Sequence, residues 1–326
     1  MTKSDLVDGM TPAAVMRRGF YFFVRRIGLQ RGETVKEALL QALEVCPPEV
    51  RAAALRCGQA ERIEELRFRA GQEAAVSIGD AELPLHGCAV DRKLLADILA
   101  RATGQAVYAA QDMLKNGFVT ISGGHRLGVC GTGVCRDGEV YTFKDISSLN
   151  LRVAREIRGA ANEAADYLWL HPVSTLILGA PASGKTTLLR DLIRQCSDRF
   201  GWRICAADER MELAACRGGV PQFDLGAHTD VLSGVAKGAA IELLLRSMNP
   251  RWIAVDEITA ESDVDKLVRA GYCGVRFLAT VHAASFAELE RRPVYRTLLR
   301  SGMFESFLLL GRGRRLQIRK GVTEVA

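Results

Sequence analysis

A single glycine-rich segment constrains the fold of this chain more than any other stretch. It follows a short apolar run, Thr175–Leu178, with the length of a buried strand, and it precedes a helical pattern of apolar residues. The segment fits G-x-x-x-x-G-K-[ST] at every fixed position, with the residues Gly179, Ala180, Pro181, Ala182, Ser183, Gly184, Lys185 and Thr186. A strand, a loop of this spacing and a helix together predict a phosphate-binding loop.

Each residue type in the loop has a physical role toward a polyphosphate. The glycines Gly179 and Gly184 let the main chain wrap closely enough for its N–H groups to face the anion. The following helix adds the positive end of its dipole. Lys185 is predicted to reach the β- and γ-phosphates, and the Thr186 hydroxyl to bind Mg²⁺, with Thr187 next in the first turn. The alternative is a strand-to-helix turn that binds nothing, but both flanking elements favour a nucleotide site.

The composition is that of a globular protein with about two domains. The chain has 326 residues, of which 48% are hydrophobic and 25% charged, and a net charge of +6. This charge permits contact with nucleic acid or an anionic membrane without predicting either. The nine cysteines form no C-x-x-C pair, which favours reduced thiols over disulfides or zinc. We expect no signal peptide, and no apolar run reaches the length of about 20 residues that a spanning helix needs.

The first half predicts an N-terminal arm over residues 1–30 and an α+β domain over residues 31–155. A capping box at Thr34–Glu37 predicts a helix to about Cys46, and Asp91 is predicted to cap another helix. The other predicted elements are a helix over Val107–Lys115 and the strands Glu65–Arg69, Ala74–Ile78, Ala81–His86, Phe118–Ser122, Arg126–Cys130, Glu139–Phe143 and Asn150–Ala154. Asp137-Gly138 predicts a hairpin turn.

The second half, residues 156–326, alternates strands and helices, which predicts a mainly parallel sheet covered on both faces. A helix over Arg155–Leu170 is expected to lead to the phosphate loop. The predicted strands are Thr175–Leu178, Arg203–Ala207, Trp252–Val255, Arg276–Val281, Ser306–Leu310 and Leu316–Arg319, the last two as an antiparallel edge. The long segment Gly218–Gly238, which lies between the predicted strands Arg203–Ala207 and Trp252–Val255, is predicted to be a functional loop.

Acidic residues follow two of these strands. Asp256 and Glu257 end an apolar strand, so Asp256 is predicted to hold the Mg²⁺ hydration shell and Glu257 to act as general base toward the γ-phosphate. Asp208 and Glu209 follow another strand, where a carboxylate faces the ligand crevice of a parallel sheet. For Glu209, catalysis and a plain helix-capping charge are equally open.

The strand Arg276–Val281 ends in polar groups, and arginines are scattered through the chain. Thr280 and His282 stand at the predicted crevice edge, where they can sense the γ-phosphate. A lone histidine is usually structural, but this position favours a functional role. The candidates for neutralising transition-state charge, in cis or from another subunit, are Arg126, Arg152, Arg210 and Arg246.

Taken together, these motifs resemble the stage III sporulation protein AA family. The segments that carry the likeness are GAPASGKTT, AADERMELA, GVPQFDLGAHTDVL, RSMNP, IAVDEI, ATVHA, GGHRLGVCG and KDISSLNLRVARE. The family lies within the superfamily of type II secretion and type IV pilus ATPases, and the likeness spans nearly the whole chain beyond the arm. It implies a RecA-like P-loop ATPase domain preceded by a smaller α+β domain.

The resemblance also implies a function. Lys185, Thr186, Asp256 and Glu257 match the two Walker motifs, His282 resembles the histidine box, and Glu209 corresponds to the acidic box. The family implies a cytoplasmic mother-cell ATPase, peripheral to the membrane, that uses ATP and Mg²⁺ at a channel to the forespore. The expected partners are further copies of the chain in a ring, most simply a hexamer, and membrane-embedded channel components.

Two other function classes stay open at this stage. One is an ATP-dependent nucleic-acid-binding protein, favoured by the basic balance and the run Arg312-Gly313-Arg314-Arg315. Because no aromatic residues interleave a basic stripe, stable nucleic-acid binding is not expected. The other is a scaffold that binds nucleotide without turnover, against which the Asp256–Glu257 pair argues. The absence of N-K-x-D disfavours a GTPase.

Overall fold

A computed structural model describes residues 36–104, 114, 117–136, 138–311 and 315–320. The N-terminal arm, the capping-box residue Thr34 and most of the arginine run at 312–315 lie outside these residues. So does most of the helix predicted over Val107–Lys115. The chain divides between Arg155 and Glu156 into two compact units.

The helices and strands are named here in chain order. The helices are α1 at 36–42, α2 at Pro48–Arg56, α3 at Arg92–Ala102, α4 at Asn162–Leu170, α5 at Lys185–Phe200, α6 at Lys237–Ser247, α7 at Glu261–Gly271, α8 at Phe286–Arg291 and α9 at Pro293–Arg300. The strands are β1 at Glu65–Arg69, β2 at Glu73–Ile78, β3 at Ala81–Ala89, β4 at Phe118–Thr120, β5 at Arg126–Arg136, β6 at Glu139–Arg152, β7 at Thr175–Gly179, β8 at Ile204–Asp208, β9 at Thr229–Ser233, β10 at Trp252–Val255, β11 at Arg276–His282, β12 at Ser306–Leu310 and β13 at Leu316–Lys320.

The first unit contains an antiparallel sheet with the strand order β3-β2-β1-β6-β5-β4. Helix α3 begins as predicted, because Oδ1 of Asp91 accepts a hydrogen bond of 2.7 Å from the N–H of Leu94. Apolar side chains of the helices and strands, among them Leu39, Leu95 and Phe68, form one buried cluster. Burial of that cluster is the main favourable contribution to this unit's stability.

The prediction of two separate strands, Glu139–Phe143 and Asn150–Ala154, was wrong. They are one continuous strand, β6, which pairs with β5 along its length and with β1 near its end. Of the residues between them, Ser148 and Leu149 pair with both β5 and β1, while Asp145 has φ +48° at a β-bulge opposite β5. The mixed polar sequence of this stretch gives no strand signal. The hairpin predicted between β5 and β6 is confirmed by the pairing of Arg136 with Glu139.

The second unit contains a seven-stranded sheet with the order β13-β12-β7-β11-β10-β8-β9. Its strands are parallel except β13, which pairs with β12 as the predicted antiparallel edge. Alternate residues of β7 enter two apolar clusters: Leu176 and Leu178 pack on one face, and Ile177 packs on the other with α4 and α5. The predicted α/β class, a mainly parallel sheet after an α+β portion, is confirmed.

Two predictions for the second unit were wrong in detail. The helix before the phosphate loop begins at Asn162, not at Arg155, because Gly159 adopts φ +83° and interrupts the helical path. The long segment Gly218–Gly238 contains a strand, β9, which pairs in parallel with β8. Strand β9 is an edge strand with half-exposed, partly polar residues, so it lacks the apolar run that marks the inner strands.

Within the part of the chain that the structure describes, no helix is both long and apolar enough to cross a membrane.

Candidate functional site

The carboxyl edge of the second unit's sheet collects the polar residues that the motifs singled out. Strand β7 ends at Gly179 beside His282 of β11, in direct register. Strand β10 lies between β11 and β8, so Asp256 and Glu257 follow it at the same edge, close to Asp208. Since parallel strands all end on one side, residues far apart in sequence meet there.

The main chain of the phosphate loop is strongly curved. Gly184 caps α5 with φ +99°, and Ala182 has φ +57°, an uncommon conformation for a residue with a side chain. A Cβ on Gly179 would lie 2.5 Å from Oγ of Ser183, so only glycine fits without rearrangement. The Ser183 hydroxyl is buried without a hydrogen-bond partner among the described residues. These features fit a cradle whose donors are left for an anion.

Lys185 is buried, with 5% of its surface exposed, and its ammonium group lies inside the site. Its Nζ donates 2.8 Å to the carbonyl oxygen of Ala180 and lies 3.0 Å from Nδ1 of His282. Burial lowers the pKa of Lys185, while the charges of Asp256 and Glu257 act in the opposite direction. A bound phosphate would supply the counter-charge that this ammonium group lacks.

Asp256 is held by two threonine hydroxyls. Thr186 Oγ1 donates 2.8 Å to Oδ2, and Thr280 Oγ1 donates 2.6 Å to Oδ1. Burial raises the pKa of Asp256, and the two hydroxyl donors counteract that rise. Thr280 thus positions Asp256, a role different from the phosphate sensing predicted from its place in the strand. A carboxylate beside a threonine hydroxyl is a donor set that suits Mg²⁺ with its water shell.

Glu257 has a strained main chain and charged neighbours at both carboxylate oxygens. Its φ is +56°, and its N–H donates 2.8 Å to Oγ1 of Thr280, which fixes this conformation. His282 Nε2 lies 3.0 Å from Oε1, and the guanidinium of Arg210 forms an ion pair with Oε2. Non-glycine residues with φ in this region are held by surrounding structure and cluster at functional sites.

The acidic segment after β8 separates into three roles. Asp208 is buried and accepts hydrogen bonds from the N–H groups of Glu212, Leu213 and Ala214 at 2.8–3.0 Å. Glu209 is paired with the buried ammonium of Lys237, and it does not line the cavity between the phosphate loop, Asp256 and His282. Glu212 does line that cavity. It was missed, because four acidic or basic residues share this short segment and spacing alone does not rank them.

A cavity of about 350 Å³ joins these groups. Its volume falls within the range of small-ligand sites. It is lined by Ala182, Gly184, Lys185, Thr186, Thr187, Glu212, Asp256, Glu257, Thr280 and His282. The arrangement places an ammonium group, a hydroxyl–carboxylate pair and a second carboxylate around one space.

Neither of the predicted arginines in the second unit, Arg210 and Arg246, lines this cavity. Arg210 forms an ion pair with Glu257, which does line it. Arg246 lies in the last turn of α6 and contacts the carbonyl oxygen of Glu242. Arg126 and Arg152 stand side by side on β5 and β6 of the first unit. Their roles toward phosphate stay a prediction.

Comparison of sequences places the chain among sporulation proteins. The family model described as "Sporulation stage III, protein AA" matches residues 43–324. Stage III sporulation protein AA of Bacillus subtilis (strain 168) is 35% identical over 289 residues, which cover 86% of this chain and 90% of that protein.

Comparison of structures finds the same fold in two ATPases. The ATPase DotB of Legionella pneumophila has a TM-score of 0.52 and 14% identity, covering 78% of this chain and 75% of DotB. The pilus retraction motor PilT, solved with bound ADP, has a TM-score of 0.54 and 15% identity, covering 84% of each chain. At such identities the likeness concerns the fold alone.

Proposed function

This chain belongs to the sporulation stage III protein AA family, and from that premise we propose that it is a Mg²⁺-dependent ATPase. The observation that carries the proposal is the single cavity into which Lys185, the Thr186–Asp256 pair and Glu257 all open. The ADP bound to PilT, a protein of the same fold, supports a nucleotide as the ligand. Residues 156–326 are the proposed ATPase domain, and residues 31–155 the preceding α+β domain.

The proposed mechanism assigns a task to each residue of the site. The phosphate loop Gly179–Thr186 and Thr187 hold the phosphates in place through the Lys185 ammonium and the main-chain N–H groups of the loop residues other than Pro181, which has none. Thr186 and Asp256 would hold a Mg²⁺ ion with its water shell, and a bound ion would supply positive charge toward the phosphate oxygens. Glu257 orients and deprotonates the attacking water, and its positive φ keeps the carboxylate at the cavity.

Three neighbours of Glu257 support this assignment. Thr280 fixes its main chain, while His282 and Arg210 hold one carboxylate oxygen each. With Lys185 donating to Nδ1, the imidazole of His282 carries its proton on Nε2, and this N–H donates a hydrogen bond to the carboxylate of Glu257. We propose His282 as a positioning residue between Lys185 and Glu257. The proposed role of Glu212 is to orient water opposite Asp256, and Glu209 stays an alternative for that role.

The larger assembly is proposed from family membership. We propose that copies of the chain form a ring, most simply a hexamer, on the cytoplasmic side of the membrane of a sporulating cell. The ring would act with membrane-embedded channel components and convert ATP hydrolysis into motion between domains. The 35% identity to a stage III sporulation protein over most of both chains supports this setting.

The test is ATP turnover at increasing protein concentration, with oligomer mass followed in parallel. The wild type is compared with Lys185→Ala, which removes the phosphate ammonium, and Glu257→Gln, which removes the base. We expect specific activity to rise with assembly and both variants to lose turnover. Glu257→Gln should still bind nucleotide.

Two outcomes would contradict the proposal. Turnover that survives in both variants would show that the site is elsewhere. Nucleotide binding without any turnover in the assembled wild type would favour the scaffold alternative.

A further inference from the structure

The edge of the second unit opposite the candidate site carries a surface that the proposed function does not use. Helices α4, α5, α6 and α7 each precede a parallel strand, so they all end at the amino edge of the sheet. Four exposed apolar side chains lie where three of these helices end: Trp169, Leu170, Met248 and Tyr272. Tyr272 is 83% exposed and Leu170 is 69% exposed. Because α4 packs on one face of the sheet and α6 and α7 pack on the other, Trp169 and Leu170 lie on one side of this edge and Met248 and Tyr272 on the other. Exposed groups of this size that flank one edge are a mark of an interaction surface.

Three arginines accompany them on adjacent strands. Arg203 and Arg251 immediately precede β8 and β10, and Arg276 begins β11. Their main chains are in direct contact, since the N–H of Arg251 donates 3.3 Å to the carbonyl oxygen of Arg203. In turn, the N–H of Arg276 donates a hydrogen bond of 3.1 Å to the carbonyl oxygen of Arg251. All three are exposed, and none forms an ion pair with a carboxylate in the part of the chain that the structure describes.

Other basic residues near this row add little to its charge, and Arg199 is already paired with Asp166. Basic residues Arg199, Arg246 and Arg269 occupy the last turns of α5, α6 and α7. Such residues favour helix C-termini, which by itself explains their presence. The arginines of the row lie outside the helices, so the helix dipole does not account for them. The exposed carboxylate of Glu305 precedes β12, two strands away from Arg276.

A stack of four aromatic rings holds one part of this surface in a fixed position. Trp169 lies on Phe200 at 4.6 Å between ring centroids, and Phe200 contacts Trp202 at 5.4 Å. Trp202 stacks on Trp252 at 4.2 Å. The buried end of the stack lies in the core beside α5. The exposed end, Trp169, is therefore held in place as a flat apolar platform beside the arginines.

We propose that this amino edge, defined as Arg203, Arg251 and Arg276 with Trp169, Leu170, Met248 and Tyr272, docks an acidic amphipathic helix of a partner protein. Neighbouring strands are about 4.8 Å apart, and the Cβ atoms of residues at i and i+4 on a helix are about 5–6 Å apart. One acidic helix face can therefore pair with successive arginines while its apolar residues cover the exposed side chains. This inference does not rest on the proposed ATPase function.

Other occupants fit the surface less well. The chain's own N-terminal segment contains Arg17, Arg18, Arg25 and Arg26, so like charges would meet. Insertion into an anionic membrane would favour aromatic groups that project outward. Tyr272 is exposed in this way, at 83%, whereas Trp169 is stacked flat on Phe200 and is about half exposed. The membrane is therefore kept as an outcome of the test.

The experiment uses the intrinsic fluorescence of the full chain. All three tryptophans of the chain, Trp169, Trp202 and Trp252, belong to the stack, so excitation of tryptophan reports on this edge alone. The probe is a synthetic peptide of about 20 residues, long enough to be helical, with glutamates at i and i+4 beside leucines. A peptide of the same composition in permuted order and vesicles of phosphatidylglycerol and phosphatidylcholine are the comparisons.

We expect saturable binding of the amphipathic peptide with a change in tryptophan emission, and binding at least about tenfold weaker for the permuted peptide. The variant Arg203→Glu/Arg251→Glu/Arg276→Glu should weaken peptide binding at least about tenfold, as should its milder form with glutamines. Leu170→Ser/Tyr272→Ser should weaken it too. Far-UV circular dichroism and the urea midpoint of unfolding serve as the check that each variant is folded.

The matched control carries the same change of net charge on the first unit: Arg92→Glu/Lys93→Glu/Arg101→Glu on α3. Equal loss of peptide binding in the control and in the amino-edge variant would overturn the proposal, because net charge alone would then explain it. Absence of saturable binding would overturn it as well. Vesicle binding that is tighter than peptide binding and is lost in the amino-edge variant would replace the proposed partner with a membrane.

Discussion

Thr186 and Asp256, 70 positions apart in the chain, are joined by a hydrogen bond of 2.8 Å from the threonine hydroxyl to Oδ2 of the carboxylate. Thr186 follows the phosphate-loop lysine, Lys185, and Asp256 directly follows strand β10. Their contact brings the two halves of the proposed Mg²⁺ site into one position without a ligand. The site is therefore largely pre-organised, which lowers the cost of ordering it during binding.

Removing the Thr186 hydroxyl should uncouple nucleotide binding from Mg²⁺. In Thr186→Val the metal loses one oxygen ligand and Asp256 loses one donor, so we expect the affinity gained from Mg²⁺ to fall about 10–100-fold. Affinity for ADP in excess chelator should change little. Calorimetric titration with ADP, with and without Mg²⁺, measures both quantities. Thr186→Ser keeps the hydroxyl and should behave as the wild type; equal losses in both variants would contradict the assignment.

Three glutamates near the site should respond differently to the same substitution. We expect Glu257→Gln to lower kcat by about 10²–10⁴-fold with nucleotide binding retained, because it removes the proposed general base. Glu212→Gln should reduce kcat less. Glu212 lines the cavity, but it does not stand in the position after β10 that the proposed general base occupies. Glu209→Gln should affect kcat least, because its carboxylate pairs with Lys237 outside the cavity lining. Steady-state kinetics with binding controls gives the order, and a Glu209→Gln effect as large as that of Glu257→Gln would reverse it.

Thr280 offers a test of how the site is positioned. Its hydroxyl is fully buried, donates to Asp256 and accepts from the N–H of Glu257. In Thr280→Val, Asp256 loses one of its two hydroxyl donors and the N–H of Glu257 loses its acceptor, so we expect a loss of about 1–3 kcal/mol in the free energy of unfolding and a lower kcat. Thr280→Ser retains the hydroxyl and should retain most of both. Denaturant unfolding and kinetics on the same preparations provide the measurement. Wild-type values in Thr280→Val would mean that the hydroxyl bridge is dispensable.

Buried His125 should make the stability of the first unit depend on pH. Its side chain is 1% exposed, Nδ1 accepts from the N–H of Ala154 at 3.0 Å, and burial lowers its pKa to about 4. The unfolded chain takes up a proton near pH 6.5, and the folded chain only near pH 4. The stabilisation is therefore complete above about pH 6.5 and is lost as the pH falls toward about 4, by up to about 3 kcal/mol.

The measurement for His125 is urea unfolding followed by circular dichroism across that range of pH. His125→Asn keeps an acceptor near the Nδ1 position without a titratable ring, so its stability should vary less with pH. His86→Asn is the matched control, because His86 is exposed and paired with Glu73. A steeper pH dependence in His125→Asn than in the wild type would refute the prediction.

The sequence determined the parts of the protein whose signals are local. The spacing of glycines, lysine and threonine between an apolar strand and a helix follows from what a phosphate loop needs sterically, and it is legible in about a dozen residues. The inner strands β7, β10 and β11 are buried on both faces and appear as uninterrupted apolar runs. For the same reason the sequence alone predicts that Asp256, which follows β10, and His282, which ends β11, lie at one edge of the sheet.

What only the tertiary structure decided depends on pairing between distant segments. Strand β9 and the stretch that joins the two halves of β6 carry polar residues. Pairing with neighbouring strands, and not their own propensity, holds β9 and the β6 residues Ser148 and Leu149 extended. The same holds within the site. Glu209, Arg210 and Glu212 are close in sequence, and yet Glu209 pairs with Lys237, Arg210 contacts Glu257 and Glu212 faces the cavity. The turn held by Asp208 sets these directions, and no local pattern of residue types encodes its geometry.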